Sequence, residues 1–156
     1  MIEVNIPGRG IYRFEHLVLD LNGTICLDGY IIQGVPERLE LLSNLINILI
    51  VTADTMGKAE ELGRTLKVEV KKIHPGDEQV HKLDLIRQLG REFTVSLGNG
   101  TNDILMLQES ALGICIIGPE GASSEAIKYS DLAVPDINTA LDLLLKPKRL
   151  IATLRK

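Results

Sequence analysis

Tryptophan is absent from this chain of 156 residues, and only three tyrosines and two phenylalanines supply large aromatic rings. Proteins that read single-stranded nucleic acid stack bases on such rings, so this scarcity argues against that class. Cysteine is almost as rare. Cys26 and Cys115 have no C-x-x-C spacing and make no disulfide framework, the usage expected of two inert thiols in a reducing compartment. The longest apolar run, near Leu45 to Val51, is interrupted by Asn47 and is far too short to span a bilayer. The first ten residues, MIEVNIPGRG, lack the basic-then-apolar layout of a signal peptide. Charge of one sign is also missing: 17 basic against 21 acidic side chains leave −4, with no general attraction to nucleic acid or anionic lipid. Only Lys146 to Lys156 is locally basic, and it reads as a solvated chain end. A soluble, cytoplasmic protein with neither nucleic-acid nor membrane partners is expected.

What the chain does have is aliphatic bulk. It is 45% hydrophobic, mostly Val, Ile and Leu. Short continuous apolar runs predict strands at His16–Leu19, Ile46–Val51, Val68–Ile73, Thr94–Leu97 and Leu112–Ile117, with a short one at Leu132–Val134. Their unbroken apolar character is that of strands covered on both faces, as in a parallel sheet. Helical periodicity falls between them, at Pro36 to Leu45, Thr55 to Leu66, Thr101 to Leu112, Ser123 to Tyr129 and Ile137 to Leu145. The clearest helix has Asp77 as its N-cap, runs through Val80, Leu83, Ile86 and Leu89, and stops at Gly90. One α/β domain over residues 1–156 is expected: a doubly wound, Rossmann-like parallel sheet with helices on both faces. Such sheets bind ligands beyond the carboxyl ends of their strands.

Those ends carry chemistry. Asp20-Leu21-Asn22-Gly23-Thr24 follows the first strand, Thr52-Ala53-Asp54 the second, and Gly98-Asn99-Gly100-Thr101-Asn102-Asp103 the fourth. Lys82 lies on the helix before the fourth strand, with Lys71 and Lys72 as competitors for the same role. A carboxylate can attack phosphorus and form a covalent intermediate. A hard divalent cation held by oxygens offsets the repulsion between that carboxylate and a phosphate. Lysine, hydroxyl and backbone N–H groups then stabilise the equatorial oxygens. His74 and His81 have a spacing that matches no familiar metal site and read as surface histidines, and Asp28 and Asp54 as polar loop residues near the crevice.

These runs resemble the four motifs of the haloacid dehalogenase superfamily. LDLNGT is similar to the first motif, DxDGT in the phosphatases and DKTGT in the P-type ATPases; VTADT to the second; PGDEQVHK to the stretch that carries the third-motif lysine; and LGNGTND to the fourth, GDGxND. The likeness runs in family order from about Val18 to Val134, and the phosphorylation domain of P-type ATPases is its nearest pattern. The resemblance implies a magnesium-dependent phosphohydrolase with Asp20 as nucleophile, Lys82 as its charge partner and Asn22 at the acid/base position. It implies phosphate binding by Thr52, Ala53, Gly23, Thr24, Asn102 and Lys82, and metal binding by Asp20, Asn22, Asn99 and Asp103. Too few residues separate the motifs for a cap domain, and Cys26-Leu27-Asp28-Gly29-Tyr30 is expected to form the small hairpin flap that follows the first motif. A capless site suits a phosphorylated small molecule or macromolecule. The likeness to the pumps admits ATP, and a partner subunit in a homo-oligomer would shield the opening.

Two departures matter. Asn22 stands where the phosphatases carry an acid/base aspartate, and an amide cannot exchange a proton in that way. Asn99 stands where a metal-binding aspartate is usual, and it brings an oxygen without a charge. Slow turnover of the aspartyl-phosphate is therefore expected. The alternative is a regulatory module that binds phosphate or a phosphorylated partner with little turnover.

Overall fold

The computed structural model describes residues 1–54 and 57–156. Strands β1 (Ile2–Ile6) and β2 (Gly10–Phe14) form an antiparallel hairpin, followed by β3 (His16–Asp20). A second small hairpin, β4 (Cys26–Leu27) and β5 (Tyr30–Ile31), precedes α1 (Val35–Ser43) and β6 (Asn47–Thr52). Then come α2 (Lys58–Leu66), β7 (Glu69–Lys72), α3 (Glu78–Leu89), β8 (Thr94–Gly98) and α4 (Ile104–Glu109). The chain continues with β9 (Leu112–Ile116), α5 (Ser124–Tyr129), β10 (Leu132–Val134), α6 (Ile137–Leu145) and α7 (Pro147–Leu154).

Six strands make one parallel sheet in the order β7-β6-β3-β8-β9-β10. The chain builds outward from β3 through β6 to β7, then crosses back to lay β8 on the other side of β3. The topological switch therefore falls between β3 and β8, where a doubly wound sheet opens its ligand crevice.

Side-chain alternation along β3 sets up the site. Leu17 and Leu19 face the main core, shared with Leu39 and Leu42 of α1, Leu141 and Leu144 of α6, and Leu150 of α7. Val18 points the other way, against Leu85 and Ile86 of α3 and Met106 of α4. Successive strand residues alternate faces, so Asp20 emerges on the side of Val18, toward α3 and its Lys82.

Several expectations shift. Strand β7 is an edge with exposed Glu69, Lys71 and Lys72, and is not buried on both faces. The helix expected from Thr101 opens as a 3-10 turn at Thr101–Asp103 and becomes α-helical only from Ile104. The expected start of α2 at Thr55 lies outside the described residues; the helix begins at Lys58 after Gly57. Asp77 occupies the N-cap position of α3, but in a left-handed conformation (φ 52°) and without a side-chain cap bond. The β1–β2 hairpin adds a layer that the strand reading omitted.

The basic end is not a solvated tail: it forms α7, and α6 does not close the fold. Arg149, Arg155 and Lys156 are exposed while Leu150 and Leu154 are buried, a helix with one apolar stripe. The Lys156 N–H donates to the Pro7 carbonyl (3.0 Å), tying this end to the turn between β1 and β2. Leu150 has no exposed surface. Leu150→Ala is expected to cost about 2–4 kcal/mol in a denaturant titration, the usual toll of a core leucine. A loss under about 0.5 kcal/mol, typical of surface positions, would mean that α7 contributes little to the core.

Candidate active site

The crevice at the switch point has a volume of about 450 Å³ and is walled by residues from four strand ends and the start of α3. Asp20 and Asn22 come from β3 and its turn, Thr52, Ala53 and Asp54 from β6, and Asn99, Gly100 and Asn102 from β8. Glu78 and Lys82 come from α3, and Glu120 from the loop after β9.

The floor is an ionic trio. Lys82 Nζ lies 2.8 Å from Asp20 Oδ1 and 2.6 Å from Asp103 Oδ1. Lys82 and Asp103 are sealed, whereas Asp20 keeps 7% of its surface exposed at the crevice. Lys71 and Lys72, on the exposed edge strand, do not reach this place. The trio carries one charge of excess negative sign when all three groups are ionised. Burial first, and Asp103 second, push the Asp20 carboxyl up to about 7, against the pull of Lys82. Burial would lower the Lys82 pKa, but the two carboxylates outweigh it and raise it, so the ammonium stays charged.

Asp103 is held from behind. Its Oδ1 takes the Lys82 bond, and its Oδ2 accepts N–H bonds from Asn99 (2.9 Å) and Gly100 (3.0 Å). Gly98 makes room for it, since a Cβ there would fall on the Asp103 carboxylate. The structure thus sets Asp103, expected among the metal ligands, behind the lysine and off the crevice wall. Gly23 and Thr24, expected at the phosphate, also lie inside rather than on the wall. Gly23 turns the chain in the left-handed region (φ 77°) and spends its N–H on the Cys26 carbonyl (2.8 Å). The fully buried Thr24 hydroxyl lies 3.3 Å from Asp20 Oδ2 and 3.4 Å from Asn99 Oδ1, and can donate to only one at a time. Thr52 ends β6 with its Oγ1 accepting the Asp54 N–H (3.1 Å). Asp28 sits at the exposed tip of the β4–β5 flap, away from the wall.

Asn99 has a fixed orientation. Its Nδ2 donates to the Gly121 carbonyl (3.2 Å), which turns Oδ1 toward Thr24 and Asp20. Asp20 and the Asn99 amide oxygen, with Asn22 on the same wall, could offer oxygens to a hard cation, and the excess negative charge of the trio is what such a cation would relieve. The chemistry of this donor set fits magnesium. Cys26 and Cys115 take no part: burial, then Asp20 for the first and Asp103 for the second, push each thiol up to about 11.

Glu120 and Glu78 lie beyond the three strand ends that the sequence pattern singles out. Glu120 follows the fifth strand of the sheet, β9, in Gly118-Pro119-Glu120-Gly121, so the same rule extended by one strand finds it.

No protein-family model matches the chain. An uncharacterized protein of Methanocaldococcus jannaschii is 49% identical over 84 residues, which cover 51% of this chain and 90% of that one. A soluble P-type ATPase-like phosphatase from the same organism is 29% identical over 126 residues, 79% of this chain but only 46% of that protein. Among solved structures, the 3-deoxy-D-manno-octulosonate 8-phosphate phosphatase of Moraxella catarrhalis, in complex with magnesium, phosphate and its sugar, superposes with a TM-score of 0.69. The sequences are 18% identical and the match covers 91% of this chain and 94% of that one, a likeness of fold. Among the described residues only the β4–β5 hairpin and α1 separate β3 from β6, so no cap is inserted there. The chain thus has a haloacid dehalogenase-like fold with no cap inserted between β3 and β6 among the described residues, and it sets the four motif-like runs in family order beside its likeness to a phosphatase-like relative.

Proposed function

We propose that the protein is a magnesium-dependent phosphohydrolase that works through an aspartyl-phosphate on Asp20. The observation that carries this reading is the Lys82–Asp20 contact of 2.8 Å at the bottom of an open crevice on the topological switch point. Lys82 and Thr24 orient the carboxylate, so that an oxygen of Asp20 can bond to phosphorus while the bond from phosphorus to the leaving oxygen breaks. Thr52, Ala53 and Asn102 line the crevice, and in this reading they receive the phosphoryl oxygens. Magnesium, when bound, supplies the positive charge that lets two anions meet. Asp103 positions Lys82 from behind.

Asn22, on the crevice wall, can bond to the leaving oxygen but cannot protonate it or later activate water. The leaving oxygen takes its proton from solvent instead, and the phosphoenzyme waits for an unassisted water. The substrate class is a phosphate monoester or acyl phosphate on a small molecule or exposed macromolecular site, and the open mouth suits a homo-oligomer whose neighbour covers it. The contrasting reading, a phosphate-binding regulatory module, rests on the two amides Asn22 and Asn99 in the crevice.

Incubation with acetyl phosphate and magnesium decides between them. A burst of acid-stable phosphoprotein followed by slow release of phosphate is expected. Asn22→Asp is expected to speed release by about 10²–10⁴, the usual worth of a general acid/base. Phosphate-dependent binding with neither phosphoprotein nor product would favour the regulatory module.

A further inference from the structure

The fourth-motif amide leaves the metal site one charge short, and the chain carries a carboxylate beside it. We propose that Glu120 supplies the second negative charge of the magnesium site, the charge that Asn99 does not bring. This rests on the phosphohydrolase reading above and names a further residue for it.

Four carboxylates line the crevice: Asp20, Asp54, Glu78 and Glu120. Two of the outer three are occupied at helix starts. Asp54 Oδ2 accepts the Ala59 N–H at the first turn of α2 (3.2 Å), and Glu78 Oε1 accepts the Gly76 N–H ahead of α3 (3.1 Å). Glu120 makes no hydrogen bond or ion pair among the described residues. Its carboxylate leans over the first-motif turn: a Cβ on Gly23 would collide with Glu120 Oε2 and stand 2.8 Å from Asn99 Nδ2. The end of Glu120 and the amide of Asn99 therefore share the space that the missing Gly23 side chain leaves free.

The loop is fixed there by Asn99 itself. Asn99 Nδ2 donates to the Gly121 carbonyl (3.2 Å), and the Asn99 carbonyl accepts the Ser123 N–H (2.9 Å). The Gly118 N–H is tied to the Pro135 carbonyl (3.1 Å), so the loop is held on both sides of Glu120. An aspartate at position 99 has no N–H to give Gly121 and would set an anion against its carbonyl. The amide and the carboxylate thus play complementary parts. Asn99 gives an oxygen and clamps the loop, and the loop delivers the charge. Affinity for a hard cation depends on how many charged oxygens its site gathers.

Magnesium is titrated calorimetrically into the metal-free full chain at one fixed pH, for wild type, Glu120→Gln, and Asn99→Asp/Glu120→Gln, with Asp20→Asn as control. Glu120 is exposed, so Glu120→Gln is expected to melt like wild type without metal. It is expected to bind magnesium about tenfold more weakly, as removal of one of two charged oxygens demands, and the double variant is expected to recover that loss. Glu120→Gln binding as tightly as wild type, or a double variant as weak as the single one, overturns the role of Glu120 while Asp20-dependent binding still stands. Wild type and Asp20→Asn binding alike would overturn the metal site itself, and this proposal with it.

Discussion

Asp20→Asn is expected to raise the melting temperature of the metal-free protein at pH 8 while reducing phosphoryl transfer to background. Both effects come from one carboxylate. In the folded chain its pKa stands near 7, against 3.8 as the ordinary value, chiefly because burial disfavours the charge and Asp103 repels it. Between those pH values the folded protein keeps a proton that the unfolded chain has lost. The stability contributed by that proton is whole below pH 4 and disappears as pH rises through 7. A shift of this size amounts to about 4 kcal/mol withheld from the folded state at pH 8. An amide at position 20 avoids that cost and keeps an acceptor for Lys82. Half of the difference recovered would lift the melting temperature by about 5 °C for a chain of this size. Below pH 4 wild type and variant are expected to melt nearly together. Magnesium should stabilise wild type through its preference for the ionised carboxylate and leave the variant almost unmoved. If Asp20 is the nucleophile, as proposed, activity is expected to fall by at least about 10³-fold. A variant no more stable than wild type at pH 8 would mean that the Asp20 charge is not costly in the metal-free fold.

That trade explains which parts of the molecule could be read from sequence. The central sheet was legible because His16–Leu19, Thr94–Leu97 and Leu112–Ile117 are short runs rich in aliphatic residues and free of Asp, Glu, Lys and Arg, as burial on both faces requires. The flap was legible from Asp28-Gly29, both in the left-handed conformation that a tight hairpin demands. The first hairpin was missed although Ile2, Val4 and Ile6 alternate with polar residues, because half-buried strands carry a weaker signal than buried ones. Helix α7 was hidden by its charge: three lysines and two arginines between Lys146 and Lys156 concealed the spacing of Leu150 and Leu154. At the site, the residue types pointed to one crevice but not to its layering. Thr24, Asp103 and Asn99 all looked like ligands in one dimension. Only in three do Thr24 and Asp103 withdraw behind Asp20 and Lys82 while Asn99 remains at the wall.

The layering makes the metal-free fold depend on Lys82, the buried cation between two carboxylates. Lys82→Met keeps the length and packing of the stem but leaves Asp20 and Asp103 facing one another with no cation between them. Removing one partner of a buried ionic group costs about 3–5 kcal/mol because a charge remains enclosed and unpaired. At pH 8 the melting temperature is therefore expected to fall by about 10 °C. Acidification should close the gap, since Asp20 without its lysine takes up a proton still more readily. Lys82→Met/Asp103→Asn should recover much of the loss at pH 8, because the second change removes the like charge that the first exposed. Neither variant should form phosphoprotein at the wild-type rate, since Asp20 has lost the ammonium that orients it. A Lys82→Met protein that melts like wild type at pH 8 would show that water reaches the trio and screens it. An Asp103→Asn change that fails to rescue would place the cost in packing around the stem and not in the charge.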